Sequence, residues 1–230
     1  MKADELIEQA RARGSLDERA GKALLTAYGV AVPQSVIVKS PDAVAGALAG
    51  LKPPFVVKVM SPDILHKSDV GGVKVGLVEV AAVADAIRTM QAVPAIAKAK
   101  IEGFLVEEMA PRGVEVVIGG VRDADFGPMV MVGLGGIFVE VLKDVAFRIC
   151  PITRVDAAEM LDELKGAKVL DGARGGIKAS REAIVDALLK VGGEGGLLLT
   201  HASSIREADI NPLIVSERGA VAADARFILG

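Results

Sequence analysis

The chain of 230 residues contains no tryptophan and a single tyrosine, and aromatic side chains make up only 3% of it. That scarcity removes the stacking platforms on which single-stranded nucleic acid is held. Charges nearly balance, with 27 Lys and Arg against 30 Asp and Glu, so no basic field tracks a phosphate backbone. Nucleic acid is therefore not an expected partner. No apolar run approaches the roughly 20 residues a bilayer span needs, so no membrane partner is expected either. One cysteine, Cys150, excludes an internal disulfide and a cysteine-rich zinc site. The charged start, MKADELIEQARARG, lacks the pattern of a signal peptide, and a cytoplasmic setting follows as the expectation.

What is present is aliphatic. Hydrophobic residues reach 51% and charged residues 25%, the balance of a folded chain with one large or two small cores. Residues 3–13 read as a short helix. In SLDERAGKALLTAYG, Ser15 and Glu18 have capping-box spacing and Gly29 ends a second helix. VIVKSPDAVAGALAGL gives a short strand, then a helix opened by Ser40 and Pro41. FVVKVM and VKVGLVEV read as strands, and AAVADAIRTMQAV as a helix up to Pro94. FLVEEM, VEVVIGGVRD and PMVMVGLG are three further β-rich runs. VDAAEMLDELKGA and SREAIVDALLKVGG are amphipathic helices, and the end reads as two strands turning at Arg218 and Gly219. Helices and strands mix without the alternation of a doubly wound sheet, so the fold class is α+β. Two lobes are expected, 15–103 and 104–230, with the helix at 3–13 packing on either and KAKIEG as the junction.

The chemistry concentrates in FVVKVMSPDILHKSDVGGVKVGL. Lys58 interrupts an apolar strand. It is either a solvated edge residue or a buried ammonium, and a buried one needs an anion. The loop that follows favours the second reading. It carries His66, Lys67, a hydroxyl and the pair Gly71 and Gly72, which suit a phosphate, although a Gly-Gly pair also serves any hairpin. The spacing is not that of a Walker A loop. In LVEEMAPRGVEV, Glu107, Glu108 and Glu115 are either solvated carboxylates or groups that grip a ribose diol. In EADINPLIV and AVAADARF, Asp209, Asn211 and Asp224 are oxygen donors among apolar neighbours, a set that suits Mg²⁺, although Asn211 before Pro212 is also ordinary turn chemistry. His66, beside the loop, could accept a phosphoryl group, whereas His201 in LLLTHASS reads as a packing residue.

Together VVKVMSPDILHKSDVGGVKVGL, DADFGPMVMVGLGGIFVEVLKDV and ADINPLIV resemble the ATP-grasp subunit of NDP-forming acyl-CoA synthetases, and more distantly the succinyl-CoA synthetase β subunit. The resemblance covers nearly the whole chain, with its motifs in order. It implies an ATP-grasp fold whose two α+β lobes hold nucleotide between them. It implies that Lys58 contacts phosphates, that the Gly71–Gly72 loop with Lys67 covers them, that Glu107, Glu108 and Met109 form the adenine-facing hinge, and that Glu115 binds ribose. Asn211 and Asp224 resemble the Mg²⁺ ligands, His66 the phosphate-relaying histidine, and Asp209 the carboxylate that orients it. The implied cofactors are ATP or ADP and Mg²⁺.

The reaction implied is acid, CoA and ATP giving acyl-CoA, ADP and phosphate, an acid–thiol ligation through a phosphohistidine. No GxGxxG opens a βαβ unit, and the ligase domain of full-length relatives is missing. The expectation is thus a β subunit that works with a CoA-binding and ligase α subunit, through which a carboxylic acid and CoA are met. Two alternatives stand beside it: a non-catalytic nucleotide-binding regulatory module, and a stand-alone carboxylate–amine ligase, which would not need His66.

Overall fold

The computed structural model describes residues 2–64 and 66–230. Its strands run β1 (Ser15–Leu16), β2 (Ser35–Val38), β3 (Phe55–Met60), β4 (Val73–Leu77), β5 (Gly103–Glu108), β6 (Val114–Asp123), β7 (Gly127–Leu134), β8 (Val145–Ile149), β9 (Ile205–Ser216), β10 (Gly219–Ala222) and β11 (Arg226–Leu229). They form two antiparallel sheets, one in each of two compact units. One unit is Pro33–Ala110. The other joins the chain up to Val32 to Pro111–Gly230.

In the unit Pro33–Ala110 the strand order is β2-β5-β3-β4. Strand alternation sends Phe55, Val57 and Val59 of β3 and Phe104 and Val106 of β5 to one face. The helix Val80–Gln91 lays Val83, Ile87 and Met90 against them, one face at helical spacing, and closes a core. Both faces of β3 are buried, so this strand lies inside its sheet rather than at an edge.

In the larger unit the order is β1-β11-β9-β6-β7-β8, with β10 also on β9. One face of this sheet presents Ile118, Val130, Val132, Ala208, Ile210 and Phe227 to a core to which three helices of ten or more residues contribute, along with Leu6 and Ile7 of the helix Ala3–Ala10. The three longer helices are Glu18–Ala27, Arg154–Glu163 and Arg181–Gly192. The opposite face leaves Val121, Phe147 and Ile149 exposed. Thr153 and Ser180 cap the second and third helices through the amides of Asp156 and Ala183.

Several local expectations change. The helix Glu18–Ala27 is capped by Asp17, whose Oδ1 accepts from the Ala20 amide at 2.8 Å, and Ser15 lies in β1 instead. Asp17 is the better acceptor at the same place, and pairing Ser15 with Ile228 draws Ser15 into the sheet. Gly29, at φ 75°, does end that helix. The terminal segment makes three strands, not two, because residues 223–225 interrupt the run that pairs with β9 and leave β10 and β11 as separate strands. β8 is a five-residue strand after a glycine-rich loop, too short for its alternation to stand out in the sequence.

The compact units also divide the chain differently from 15–103 and 104–230. β5 lies between β2 and β3, with Val106 opposite both Val36 and Val57, and so belongs wholly to the smaller unit. Residues 15–32 return to the larger unit through β1 on β11 and an Ala222 amide bonded to the Ala31 carbonyl at 2.8 Å. Both ties are non-local pairings that composition does not reveal.

Candidate functional site

The smaller unit contributes Lys58 and the loop after it. Lys58 is 8% exposed in the interior strand β3, opposite Leu105. Its Nζ lies 3.0 Å from Oε2 of Glu107, which is 2% exposed. The register explains the pair. Glu107 stands opposite Val56, two residues along from Lys58, so the two side chains are diagonal neighbours on one face. A buried ammonium is stable there because a buried carboxylate meets it. The choice between an edge lysine and a buried one is thus decided, and the anion is internal. Glu107 is no solvated carboxylate.

His66 is exposed in the loop between β3 and β4, after Leu65, which lies outside the described residues. The loop is held by its own backbone. The Gly71 amide donates to the Ser68 carbonyl at 3.1 Å and the Gly72 amide to Lys67 at 2.7 Å, while the Gly72 carbonyl accepts from Val59 at 2.9 Å. Both glycine amides therefore close the turn rather than point outward as donors. Gly71 takes a φ of 70°, and a Cβ on Gly72 would come within 2.6 Å of Val59 Cγ1. The pair thus folds the loop at Lys67 back against Val59 of β3.

At the end of β5 the amides of Glu108 and Met109 donate to the carbonyls of Gln34 at 3.0 Å and Pro54 at 2.8 Å. The Glu108 side chain accepts the Lys52 amide at 2.9 Å. Glu108 thus ties the Leu51–Pro54 turn to the strand end, and Met109 is left with its carbonyl and a half-open side chain.

The larger unit carries the remaining residues. Glu115 is exposed on β6, and its carbonyl accepts the Gly135 amide at 2.7 Å. A Cβ on Gly135 would lie 2.7 Å from Cβ of Glu115, so VGLGG packs its backbone on this residue. The base of that glycine loop is fixed by Asp144, 4% exposed, whose carboxylate accepts the amides of Lys165 and Gly166, each at 2.8 Å. Neither tie was foreseen. The recurrence of glycine beside a strand end was the available signal.

Asn211 and Pro212 form a bulge in β9, where the pairing slips between Val116 and Ile118 of β6. The Ala223 amide donates to the Pro212 carbonyl at 2.9 Å, which brings the segment holding Asp224 beside the bulge. Asp209 titrates above the usual carboxylate range, first because it is partly desolvated and then because the Asp224 charge is near. Arg226 opposes that shift. Among the described residues no group of three or more His, Cys, Asp or Glu side chains is placed to hold a metal ion. The carboxylate of Asp224 and the amide oxygen of Asn211 are donors of the kind Mg²⁺ takes, and that ion usually completes its shell with water and substrate phosphate.

His201 is 6% exposed, and its Nε2 lies 2.8 Å from the Tyr28 hydroxyl, consistent with its reading as a packing residue.

Residues 8–229 match the ATP-grasp domain family. The acetate–CoA ligase [ADP-forming] I subunit beta of Pyrococcus furiosus is 42% identical, over 99% of this chain and 98% of that protein. The acetate–CoA ligase [ADP-forming] I of Archaeoglobus fulgidus is also 42% identical, but this chain spans only 33% of its length. Among solved structures, acetyl-coenzyme A synthetase 1 of Candidatus Korarchaeum cryptofilum matches at a TM-score of 0.93 and 40% identity, with both chains fully covered. A structure of the same synthetase with coenzyme A and Mg-AMPPCP matches at 0.83 and 38%, again over both whole chains, and has its phosphohistidine segment pointing towards the nucleotide-binding site. The chain belongs to the ATP-grasp family, and within it to the group formed by the beta subunits of ADP-forming acetate–CoA ligases and the matching part of their single-chain relatives.

Proposed function

We propose that this chain is the nucleotide-binding beta subunit of an ADP-forming acid–CoA ligase, using ATP or ADP with Mg²⁺. The observation that carries this reading is the end-to-end match to a separate beta subunit, over 99% of this chain and 98% of that protein. The single-chain relative is about three times longer, which supports a partner subunit bringing the CoA-binding and ligase functions.

Within that reading Lys58 is an ammonium for the nucleotide phosphates. Glu107 fixes its position, so the charge is pre-oriented rather than carried on a mobile stem. Lys67 and the turn closed by Gly71 and Gly72 lie over the phosphates. Met109 borders adenine with its side chain and carbonyl, and Glu115 takes the ribose. Asn211 and Asp224 hold Mg²⁺, which when bound offsets the charge of the phosphates. His66 is the nucleophile: a neutral imidazole nitrogen takes the phosphoryl group and later releases it. Asp209 holds the imidazole in the orientation for transfer.

The test is binding and labelling. Lys58→Ala should weaken ATP binding, measured by calorimetry, by the worth of one charge-assisted phosphate contact, about 1.5–3 kcal/mol. With γ-labelled ATP and the partner present, its own histidine replaced, an acid-labile and base-stable label should appear at His66. Label elsewhere, full turnover by His66→Ala, or unchanged ATP affinity in folded Lys58→Ala rejects the assignment. Acyl-CoA synthesis by the purified chain alone would reject its reading as a subunit.

A further inference from the structure

The helix-free face of the larger unit's sheet carries two rows of side chains that run straight across five strands. Register places Arg226 of β11 opposite Asp209 of β9, Asp209 opposite Gly119 of β6, Gly119 opposite Met131 of β7, and Met131 opposite Phe147 of β8. A cavity of about 340 Å³ opens over this row. Gly119 makes the depression. A side chain there would begin 2.9 Å from the Met131 methyl carbon, so Met131 leans over the place it would fill. The cavity is thus charged at one end, at Arg226 and Asp209, and apolar at the other, at Met131 and Phe147.

Arg226 is the only cation among the described residues that line it. The other lining carboxylate, Glu207, already has Arg206 at 3.1 Å. Among the described residues none forms an ion pair with Arg226, although its charge is felt at Asp209. An exposed guanidinium at the rim of a cavity, without a bonded carboxylate, is open to an anion, and its planar fork suits phosphate. Beside it, methionine and phenylalanine make a soft apolar wall for a flat ring. A phosphorylated imidazole has this pair of ends.

We infer that Arg226 binds the phosphoryl group of the partner subunit's phosphohistidine while Met131 and Phe147 receive its ring. The inference rests on the reading of this chain as a beta subunit. Arg226 makes no covalent bond and moves no proton. It positions the phosphoryl group while the bond to the partner's imidazole nitrogen breaks, that nitrogen keeping the electron pair, and a lone pair of the His66 ring nitrogen forms the new bond to phosphorus before the group passes to a terminal phosphate oxygen of ADP.

The experiment uses the complex of the chain with its partner subunit. The partner's histidine is labelled with radioactive phosphoryl, ADP is added, and single-turnover formation of labelled ATP is followed. Arg226→Gln should slow transfer by about 10- to 100-fold, the range for losing a charged hydrogen bond to phosphate. Arg226→Lys should restore part of the rate, since the charge returns without the fork. ADP affinity of the chain, measured by calorimetry, should stay within about twofold, because the contact is to the incoming histidine and not to nucleotide. Gly119→Leu, which fills the depression, should slow transfer without changing ADP affinity. Transfer by Arg226→Gln at the wild-type rate overturns the inference alone. So does a fall in ADP affinity that matches the fall in rate, which would assign Arg226 to the nucleotide phosphates. If the wild-type complex moves no label to ADP, the beta-subunit reading fails and takes this inference with it.

Discussion

Replacing Glu107 with leucine leaves the Lys58 ammonium inside β3 without the carboxylate that lies 3.0 Å away. At that distance and an effective dielectric of about 20, two unit charges attract by roughly 5–6 kcal/mol. Taking both groups out of water cancels much of this, so the intact pair adds little net stability. The asymmetry comes from removing one partner alone, which strands the other charge and costs about 3–5 kcal/mol. Lys58→Met alone should cost a similar amount. The double variant, Lys58→Met with Glu107→Leu, should lie within about 1 kcal/mol of the wild type, a coupling of at least about 5 kcal/mol in the mutant cycle. The chain has no tryptophan, so urea unfolding is best followed by far-ultraviolet circular dichroism. Hydrogen exchange at the amides of β3 and β5 would confine the effect to the smaller unit. The double variant also separates structure from function: it should fold and still bind ATP poorly. A Glu107→Leu protein within about 1 kcal/mol of wild type, or a double variant as unstable as the two single losses added, would refute the reasoning.

Burial lowers the pKa of His201, with Asp4 only partly opposing, so the folded state binds its proton less readily than the unfolded chain. The stability this gives is complete above the unfolded value near 6.5 and is lost as pH falls below it, and His201→Gln should flatten that slope in thermal melts between pH 7 and 5. Gly72→Ala puts a methyl group 2.6 Å from Val59 Cγ1 and 2.9 Å from the Lys67 carbonyl. It should cost about 1–3 kcal/mol in urea unfolding through displacement of the loop. Asp144→Ala leaves two part-buried amides, those of Lys165 and Gly166, without their acceptor. A loss of about 2–4 kcal/mol is expected, measured the same way. Burial pushes the Cys150 thiol up to about 11, so it should resist a disulfide-exchange reagent at pH 8 until the protein is unfolded.

The sequence by itself determined the classes of element and singled out candidate residues. Lys58, His66, Asp209, Asn211 and Asp224 could be singled out because each is a polar residue placed where apolar neighbours or a turn make its presence costly or purposeful. The strands β3, β6 and β9 and the helices after Thr153 and Ser180 were legible for a related reason: their periodicity is local. Only the tertiary structure decided who meets whom. Glu107 and Glu108 are adjacent glutamates, indistinguishable in the chain, yet alternation sends one into a buried pair with Lys58 and the other to the Lys52 amide. The glycines at 71 and 72 looked like phosphate donors, but their amides close their own turn. Arg226 drew no notice in AVAADARF and became distinctive only when β11 lay against β9 and set it across from Asp209, over the space Gly119 leaves. Local patterns follow from neighbours a few residues away. A cross-strand partner is fixed by register between segments that can lie far apart in the chain, as Ser15 and Ile228 do, and that register exists only once the sheet has formed.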